Sequence, residues 1–206
     1  MPGQNDVFEG DQCRIKVIGD GYFHMHRDDP NEVSLEAIAA ATSRLCRFTG
    51  HLIEGVEIYS VAEHSVLVSH LLERMGCPSG VIFQGLMHDA SEAYLADIAA
   101  PFKGEIGNYY AVEGKVMDRI KDRFLLPDQF DYRVKIADWY ALFIEARQIV
   151  LTDERELSTW QGYAEHGEAS QEFQVPVQCW LPSMAKAQFL MRFAQVQDMM
   201  LEVDDR

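Results

Sequence analysis

One of the seven histidines, His64, lies at a position where a side chain can do chemistry. It is three residues after Val61 and four before Val68, so in a helix over residues 60–75 it falls on the buried apolar stripe. A buried imidazole needs a partner, which can be a hydrogen bond within the core or a metal ion. His64 is therefore either a core histidine or a ligand.

A second ionisable group begins 24 residues later, where His88 and Asp89 stand side by side beside an apolar run. Asp is a poor residue for a helix interior. Glu92 is four residues after His88 and three after Asp89, so in a helix all three side chains project to one side. Crowding them on a half-buried face is costly unless a cation organises them.

Asp138 is also an ionisable residue on an apolar helix face. It lies in a third predicted helix, where it shares a face with Val134, Ala141 and Leu142. A lone carboxylate there would neutralise or pair, and a structural arginine is the alternative partner. Taken with the two histidines and Asp89, it completes a mixed nitrogen and oxygen set. Such a set suits a six-coordinate first-row divalent ion with open water positions.

Several helices are needed to bring these residues together. The apolar periodicity predicts an all-α, or mainly α, single domain over residues 1–206 with about seven helices. Residues 14–26, with Gly-Asp-Gly at their centre, predict a small N-terminal β-hairpin after a loose end. The stretches that predict helices begin at Ser34, which is the expected N-cap, and continue over residues 60–75, 81–94, 106–124, 132–151 and 183–201.

The apolar spacing also predicts which helix faces turn inward. In the last helix the inward residues would be Met184, Ala187, Met191 and Ala194. In the helix over residues 60–75, the residues expected on the solvent face are Glu63, His70, Glu73 and Arg74.

The formal charge of −15, from 18 basic and 33 acidic residues, excludes several classes of partner. An acidic body repels polyanions, which argues against nucleic acid polymers and anionic membranes. A small phosphorylated ligand would need a metal ion or converging basic residues. No apolar run approaches the roughly 18 residues of a membrane span, and the polar N-terminus predicts no secretory signal. Four cysteines without a C-x-x-C pair suit a cytoplasmic protein.

The order His, His-Asp, Asp on helices resembles the HD-domain phosphohydrolases. Residues 59–65 (YSVAEHS), 88–92 (HDASE) and 97–103 (DIAAPFK) are similar to bacterial 5′-deoxynucleotidases of this superfamily and to compact phage-encoded relatives, some of which remove triphosphate from dATP. The likeness covers residues 34–151 and implies an HD-domain helical fold. It also implies a homo-oligomer, located in the host cytoplasm if the protein is encoded by a phage.

The resemblance assigns roles to individual residues. The ligands of one divalent ion (Co, Mn, Zn, Fe or Mg) would be His64, His88, Asp89 and Asp138. Glu92 would be the acid/base residue, and Asp97 would position the attacked phosphate or protonate the leaving oxygen. Arg47 would contact phosphate, with Arg44 as a nearby alternative, and Lys103 matches a family lysine. His51 follows Gly50 in the same loop and is a further candidate for lining the site.

These residues predict a metal-dependent phosphohydrolase of 2′-deoxynucleotides that releases nucleoside with phosphate or triphosphate. The base preference and the choice between mono- and triphosphate stay open, and loops over residues 47–59 and 101–110 are expected to form the pocket wall. One alternative is a non-catalytic helical module that binds a nucleotide or a protein partner. Another is an HD-type oxygenase, which the absence of histidine between Asp89 and Asp138 disfavours.

Overall fold

A computed structural model describes residues 10–19, 21–151 and 153–204; the predicted loose end over residues 1–9 and Asp20 of the hairpin turn lie outside them. This part of the chain holds eight α-helices and a single two-stranded sheet. Strand β1 (Arg14–Lys16) pairs antiparallel with β2 (Tyr22–His24). The prediction of a mainly α fold with a small N-terminal hairpin is confirmed.

The helices are α1 (Leu35–Thr42), α2 (Val61–Arg74), α3 (Ser79–Met87), α4 (Glu92–Leu95), α5 (Ala100–Lys103), α6 (Tyr109–Phe124), α7 (Tyr132–Glu145) and α8 (Pro182–Asp204). Four of the helices carry predicted site residues: His64 lies in α2, Glu92 in α4, Lys103 in α5 and Asp138 in α7. A π-helical segment, Ala146–Val150, continues α7. Among the described residues, no helix is both long enough and apolar enough to cross a membrane.

Helix α2 lies at the centre and packs against α3, α7 and α8. Its N-cap is Ser60, whose hydroxyl accepts the backbone N–H of Glu63 at 3.1 Å. The expected N-cap Ser34 caps α1 in the same way. A Cβ at Gly85 of α3 would lie 2.2 Å from Cδ1 of Leu72, so this glycine lets α2 and α3 approach closely. The central position of α2 places His64 deep inside the molecule.

The helix predicted over residues 81–94 is interrupted. Helix α3 ends at Met87, and residues 88–91 form a turn before the short α4. In that turn the chain tightens, since the N–H of Ala90 bonds to the carbonyl of Met87 and that of Glu92 to the carbonyl of Asp89, at 3.1 and 3.0 Å. The His-Asp pair therefore lies on a tight turn and not within a regular helix.

The prediction of which residues of α8 face inward is wrong. Met184 and Met191 are about half exposed, at 49% and 53%, and Ala187 and Ala194 are exposed as well. The buried face contains Ala185, Phe189, Arg192 and Val196. The guanidinium of Arg192 bonds to the Ser69 hydroxyl and to Glu73, both at 2.8 Å, which allows a charged residue to face inward.

Glu63 is also placed differently from its prediction. Its side chain is buried, whereas His70, Glu73 and Arg74 are exposed as predicted. The Glu63 carboxylate accepts three consecutive backbone N–H groups, those of residues 178, 179 and 180, at 2.8, 2.9 and 2.7 Å. A distant segment of the chain thus covers the face of α2 that the local pattern assigned to solvent.

Candidate metal centre

Side chains from α2, from the turn after α3 and from α7 meet at one point. One ligand atom from each of His64, His88 and Asp138 lies within 4.8 Å of the others. The Nε2 atoms of the two histidines are 3.3 Å apart, and Nε2 of His64 is 3.2 Å from Oδ1 of Asp138. Three of the four predicted ligands, far apart in sequence, are therefore brought together.

The fourth predicted ligand, Asp89, faces the same space. Its Oδ2 atom lies 3.2 Å from Nε2 of His88 and 3.5 Å from Nε2 of His64. The guanidinium of Arg47 is 3.6 Å from the same oxygen. We refer to His64, His88, Asp89 and Asp138 as the ligand cluster.

Among the described residues, no arginine forms an ion pair with Asp138, the alternative to a metal that the sequence left open. Its Oδ2 atom accepts a hydrogen bond from Lys135, one turn earlier in α7, at 2.8 Å. Lys135 is largely exposed, so this contact lies on the solvent side and leaves Oδ1 facing the histidines. The orientation is suited to a carboxylate that donates one oxygen to a cation.

The electrostatics of the ligand cluster favour added positive charge. Burial lowers the pKa of His88, but Asp89 and Asp138 outweigh burial and raise it to about 10. Burial raises the pKa of Asp138, but hydrogen bonds to His64 and His88 bring it well below its ordinary value. Two charged carboxylates facing two imidazole nitrogens are a donor set that fits a divalent first-row ion.

Two bacterial proteins are similar to this chain, which matches no family model. The uncharacterized protein YfdR of Escherichia coli (strain K12) is 37% identical over 139 residues, which cover 68% of this chain and 74% of YfdR. The chain belongs to the YfdR family. The uncharacterized protein RCAP_rcc00048 of Rhodobacter capsulatus is 33% identical over 134 residues, covering 62% of this chain and 68% of that relative.

In this member of the YfdR family a fully buried carboxylate, Glu145, lies behind the ligand cluster. Its Oε1 atom is 2.5 Å from Nδ1 of His64 and accepts the Tyr59 hydroxyl at 2.9 Å. Its Oε2 atom accepts Nε of Arg47 at 3.3 Å. Burial raises the pKa of Glu145, but Arg47 and His64 outweigh burial and lower it, so the carboxylate stays charged.

The sequence interpretation missed Glu145, although a signal was present. Glu145 is seven residues after Asp138, and this spacing places both on the same face of α7. A second acidic residue on an inward face that already holds one carboxylate indicates a shared polar site.

Of the predicted phosphate contacts, the structure brings Arg47 to the cluster and leaves Arg44 outside. Arg47 opens a short 3-10 segment and is mostly buried. The exposed Arg44, which follows α1, bonds to the carbonyl of Ala40 in that helix and lines a separate cavity. His51 is also exposed, at the end of the segment that Arg47 opens, and in the described part of the chain its ring does not join the cluster.

Glu92 and Lys103 place a buried carboxyl group and an ammonium group beside the ligand cluster. The side chain of Glu92 is buried, and burial raises its pKa to about 9, with further contributions from Asp89 and Asp97. Lys103 Nζ lies 3.6 Å from Oε1 of Glu92 and 2.9 Å from Oε1 of Glu113. In the metal-free protein this raised pKa favours the protonated form of Glu92 at neutral pH.

Asp97 lies in the loop between α4 and α5, just after Ala96, whose φ of 73° is a left-handed conformation that is unusual for alanine. The N–H of Ala96 bonds to the carbonyl of Glu92 at 2.9 Å. Burial raises the pKa of Asp97, and Asp89 raises it further, while the positive charge of Arg47 opposes both. The predicted position of Asp97 near the cluster agrees with these interactions.

A cavity of about 380 Å³ opens beside His88 and Asp89. We call it the α6 cavity, because α6 contributes half of the residues that line it. The predicted wall over residues 101–110 contributes Lys103 and Tyr110, whereas residues 47–59 do not line it. The α6 cavity is the space next to the cluster that a bound molecule can enter.

Proposed function

We propose that this protein is a metal-dependent phosphohydrolase of the HD-domain type that cleaves the 5′-phosphoester of 2′-deoxynucleotides. The observation that carries the proposal is the convergence of two histidines and two aspartates next to Glu92, a buried acid. The likeness of residues 59–65, 88–92 and 97–103 to HD-domain nucleotidases supports the substrate class.

The ligand cluster would hold one divalent ion, chosen from Co, Mn, Zn, Fe and Mg. When bound, such an ion supplies polarisation of a phosphoryl oxygen and a more acidic water. Glu145 accepts the Nδ1 proton of His64 and so keeps Nε2 of that ring directed at the cluster.

Arg47 and Lys103 are the cations that would bind the attacked phosphate. Arg47 lies 3.6 Å from Asp89, so a phosphate beside the cluster would be within its reach. Because Glu145 fixes its Nε atom, the guanidinium is pre-oriented and can stabilise charge that develops on a non-bridging oxygen. Lys103 stands at the cavity side of the cluster.

Glu92 would act as the general acid. Water attacks the phosphorus attached to the 5′-oxygen and the P–O5′ bond breaks. The departing oxygen takes the proton of Glu92, and the carboxylate then regains a proton from the attacking water. The buried position of Glu92 and the negative charges of Asp89 and Asp97 supply the raised pKa that this role requires.

Product analysis tests this proposal. Protein freed of metal by chelation is incubated with each dNMP and dNTP, with and without added Mn²⁺ or Co²⁺, and the products are separated. We expect metal-dependent release of nucleoside with orthophosphate from a dNMP or with intact triphosphate from a dNTP. Accumulation of dNDP, or hydrolysis of cyclic or polymeric phosphodiesters only, would contradict the proposal.

Asp138→Ala and Asp118→Ala are the matched variants for this assay. Asp138 belongs to the ligand cluster, whereas Asp118 lies exposed on α6, where it contacts Lys121. Activity is expected to be lost in the first and kept in the second. A wild-type protein that binds metal and nucleotide without hydrolysis would instead support the non-catalytic binding module.

A further inference from the structure

Gly114 lies inside α6, where glycine is among the least favourable residues. Its backbone does not adopt the left-handed conformation that favours glycine. A Cβ built at Gly114 would meet no heavy atom within 4 Å, in contrast to Gly85, where packing against Leu72 excludes a side chain. Neither backbone geometry nor packing within the chain accounts for a glycine at position 114.

Gly114 lines the α6 cavity, so its lack of a side chain leaves this part of the cavity open. The cavity wall includes a stripe of α6 at successive turns, formed by Tyr110, Gly114, Met117 and Lys121. The space that a side chain at position 114 would fill is therefore the cavity itself. At this point a bound molecule can approach the helix backbone directly.

The chemistry of the α6 cavity changes along its length. Near the ligand cluster it is lined by His88, Asp89 and Lys103, which are polar or charged. Met117 and Phe130 give the wall farther along α6 an apolar surface. Lys121, which lies beside Phe130, is eight residues after Glu113 and hence about 12 Å along the helix axis.

We propose that the α6 cavity binds the nucleoside part of a nucleotide, with the base against the backbone at Gly114 and beside Met117 and Phe130. This inference rests on the proposed function, because the phosphate is taken to lie at the ligand cluster. A volume of about 380 Å³ falls within the range of small-molecule sites. A planar ring fits a wall that combines an aromatic side chain, a thioether and a glycine.

The same cavity is poorly suited to a chain of further phosphates. Lys103 is assigned to the attacked phosphate, and the ammonium group of Lys121 donates to the carbonyl of Asp128 at 2.8 Å. Glu113 itself lines the cavity, and its negative charge would repel a polyphosphate. The cavity is therefore better suited to the uncharged nucleoside part of a nucleotide than to a polyphosphate.

Equilibrium binding to the metal-loaded full chain tests the assignment, with 2′-deoxynucleosides and inorganic tripolyphosphate as separate probes. Gly114→Leu fills the cavity with a good helix former, and Gly80→Leu is the control. Gly80 lies in α3, also has open space at its Cβ position and does not line the cavity. We expect Gly114→Leu to weaken deoxynucleoside binding at least tenfold while its metal content and tripolyphosphate binding stay those of wild type.

Three results would overturn the assignment: no deoxynucleoside binding to wild type, equal binding to Gly114→Leu, or an equal loss in Gly80→Leu. Loss of tripolyphosphate binding alone in Gly114→Leu would assign the cavity to phosphates instead. Hydrolysis assays separate this inference from the proposed function. If the binding pattern holds but no deoxynucleotide is hydrolysed, only the proposed function fails; if hydrolysis occurs with an unchanged KM in Gly114→Leu, only the cavity assignment fails.

Discussion

The Nδ1 atom of His64 lies 2.5 Å from Oε1 of Glu145, while Nε2 of the same ring faces His88 and Asp138. A carboxylate that accepts the Nδ1 proton fixes the tautomer in which Nε2 carries the free lone pair. The other oxygen of Glu145 holds Arg47. One buried carboxylate therefore orients both a predicted metal ligand and the predicted phosphate contact.

Replacing this carboxylate is expected to weaken metal binding without removing a ligand. We predict that Glu145→Gln lowers the affinity for Mn²⁺ by about 10- to 100-fold, the usual cost of losing an outer-shell partner. Tyr59→Phe is the control, since it removes one hydrogen bond and leaves the carboxylate in place. Calorimetric titration that gives equal Mn²⁺ affinities for Glu145→Gln and wild type would refute this role.

The ligand cluster predicts a definite stoichiometry. Elemental analysis of purified protein should find about one divalent ion per chain, because ligand atoms of His64, His88 and Asp138 lie within 4.8 Å of one another and Asp89 contacts both histidines. Asp138→Ala should lose the ion, since each ligand also makes the burial of the others tolerable. Full retention of metal in Asp138→Ala, or active wild type without metal, is incompatible with the assignment.

Glu92 lies beside the ligand cluster without being one of its members, so its replacement should separate catalysis from metal binding. We predict that Glu92→Gln keeps the metal and the fold while turnover falls on the order of 10²-fold or more, the usual contribution of a general acid. Steady-state kinetics and metal analysis on the same preparation provide the comparison. Near-normal turnover would remove Glu92 from the mechanism.

The raised pKa of Glu92 also predicts how stability depends on pH in the metal-free protein. Burial and the charges of Asp89 and Asp97 raise this pKa from 4.5 to about 9, so between these values the folded state holds a proton that the unfolded state has lost. The stabilisation that this proton provides is complete below pH 4.5 and is lost as the pH rises through about 9. Between these pH values the free energy of unfolding falls with a slope approaching 1.4 kcal/mol per pH unit, roughly 2.3RT.

Chemical denaturation between pH 5 and 9, in the presence of a chelator, measures this dependence. The free energy of unfolding of wild type should fall with rising pH relative to that of Glu92→Gln, whose side chain does not titrate. Parallel pH profiles for the two proteins would show that Glu92 titrates near its ordinary value in the folded state.

Local periodicity in the sequence predicted the helices that carry His64 and Asp138, whereas His88 and Asp89 lie on a turn that the pattern assigned to a helix. Helix α2 begins after its N-cap, Ser60, and ends just before Gly76, and His64 lies on the predicted buried stripe. The convergence of His64, His88 and Asp138 could be expected because each is an ionisable residue on an apolar face. Such signals depend only on residues within a few helical turns.

The features that the sequence did not predict depend on contacts between distant segments. Glu63 appeared to face solvent because its partners, the N–H groups of residues 178–180, come more than 100 residues later. In α8 apolar residues occur on both faces, so the spacing alone could not select the face that packs on α2 and α3. The position of Arg47 beside the ligand cluster likewise depends on tertiary contacts, those with Glu145 and Asp89.

Hydrolysis in H₂¹⁸O tests the central claim, water attack at the phosphorus attached to the 5′-oxygen, most directly. Metal-loaded protein is incubated separately with a dNMP and with a dNTP in labelled water, and the masses of the products are measured by mass spectrometry. The account predicts one ¹⁸O atom in the released orthophosphate or triphosphate and none in the 2′-deoxynucleoside. Label in the nucleoside, release of dNDP, or no turnover with any divalent ion would contradict it.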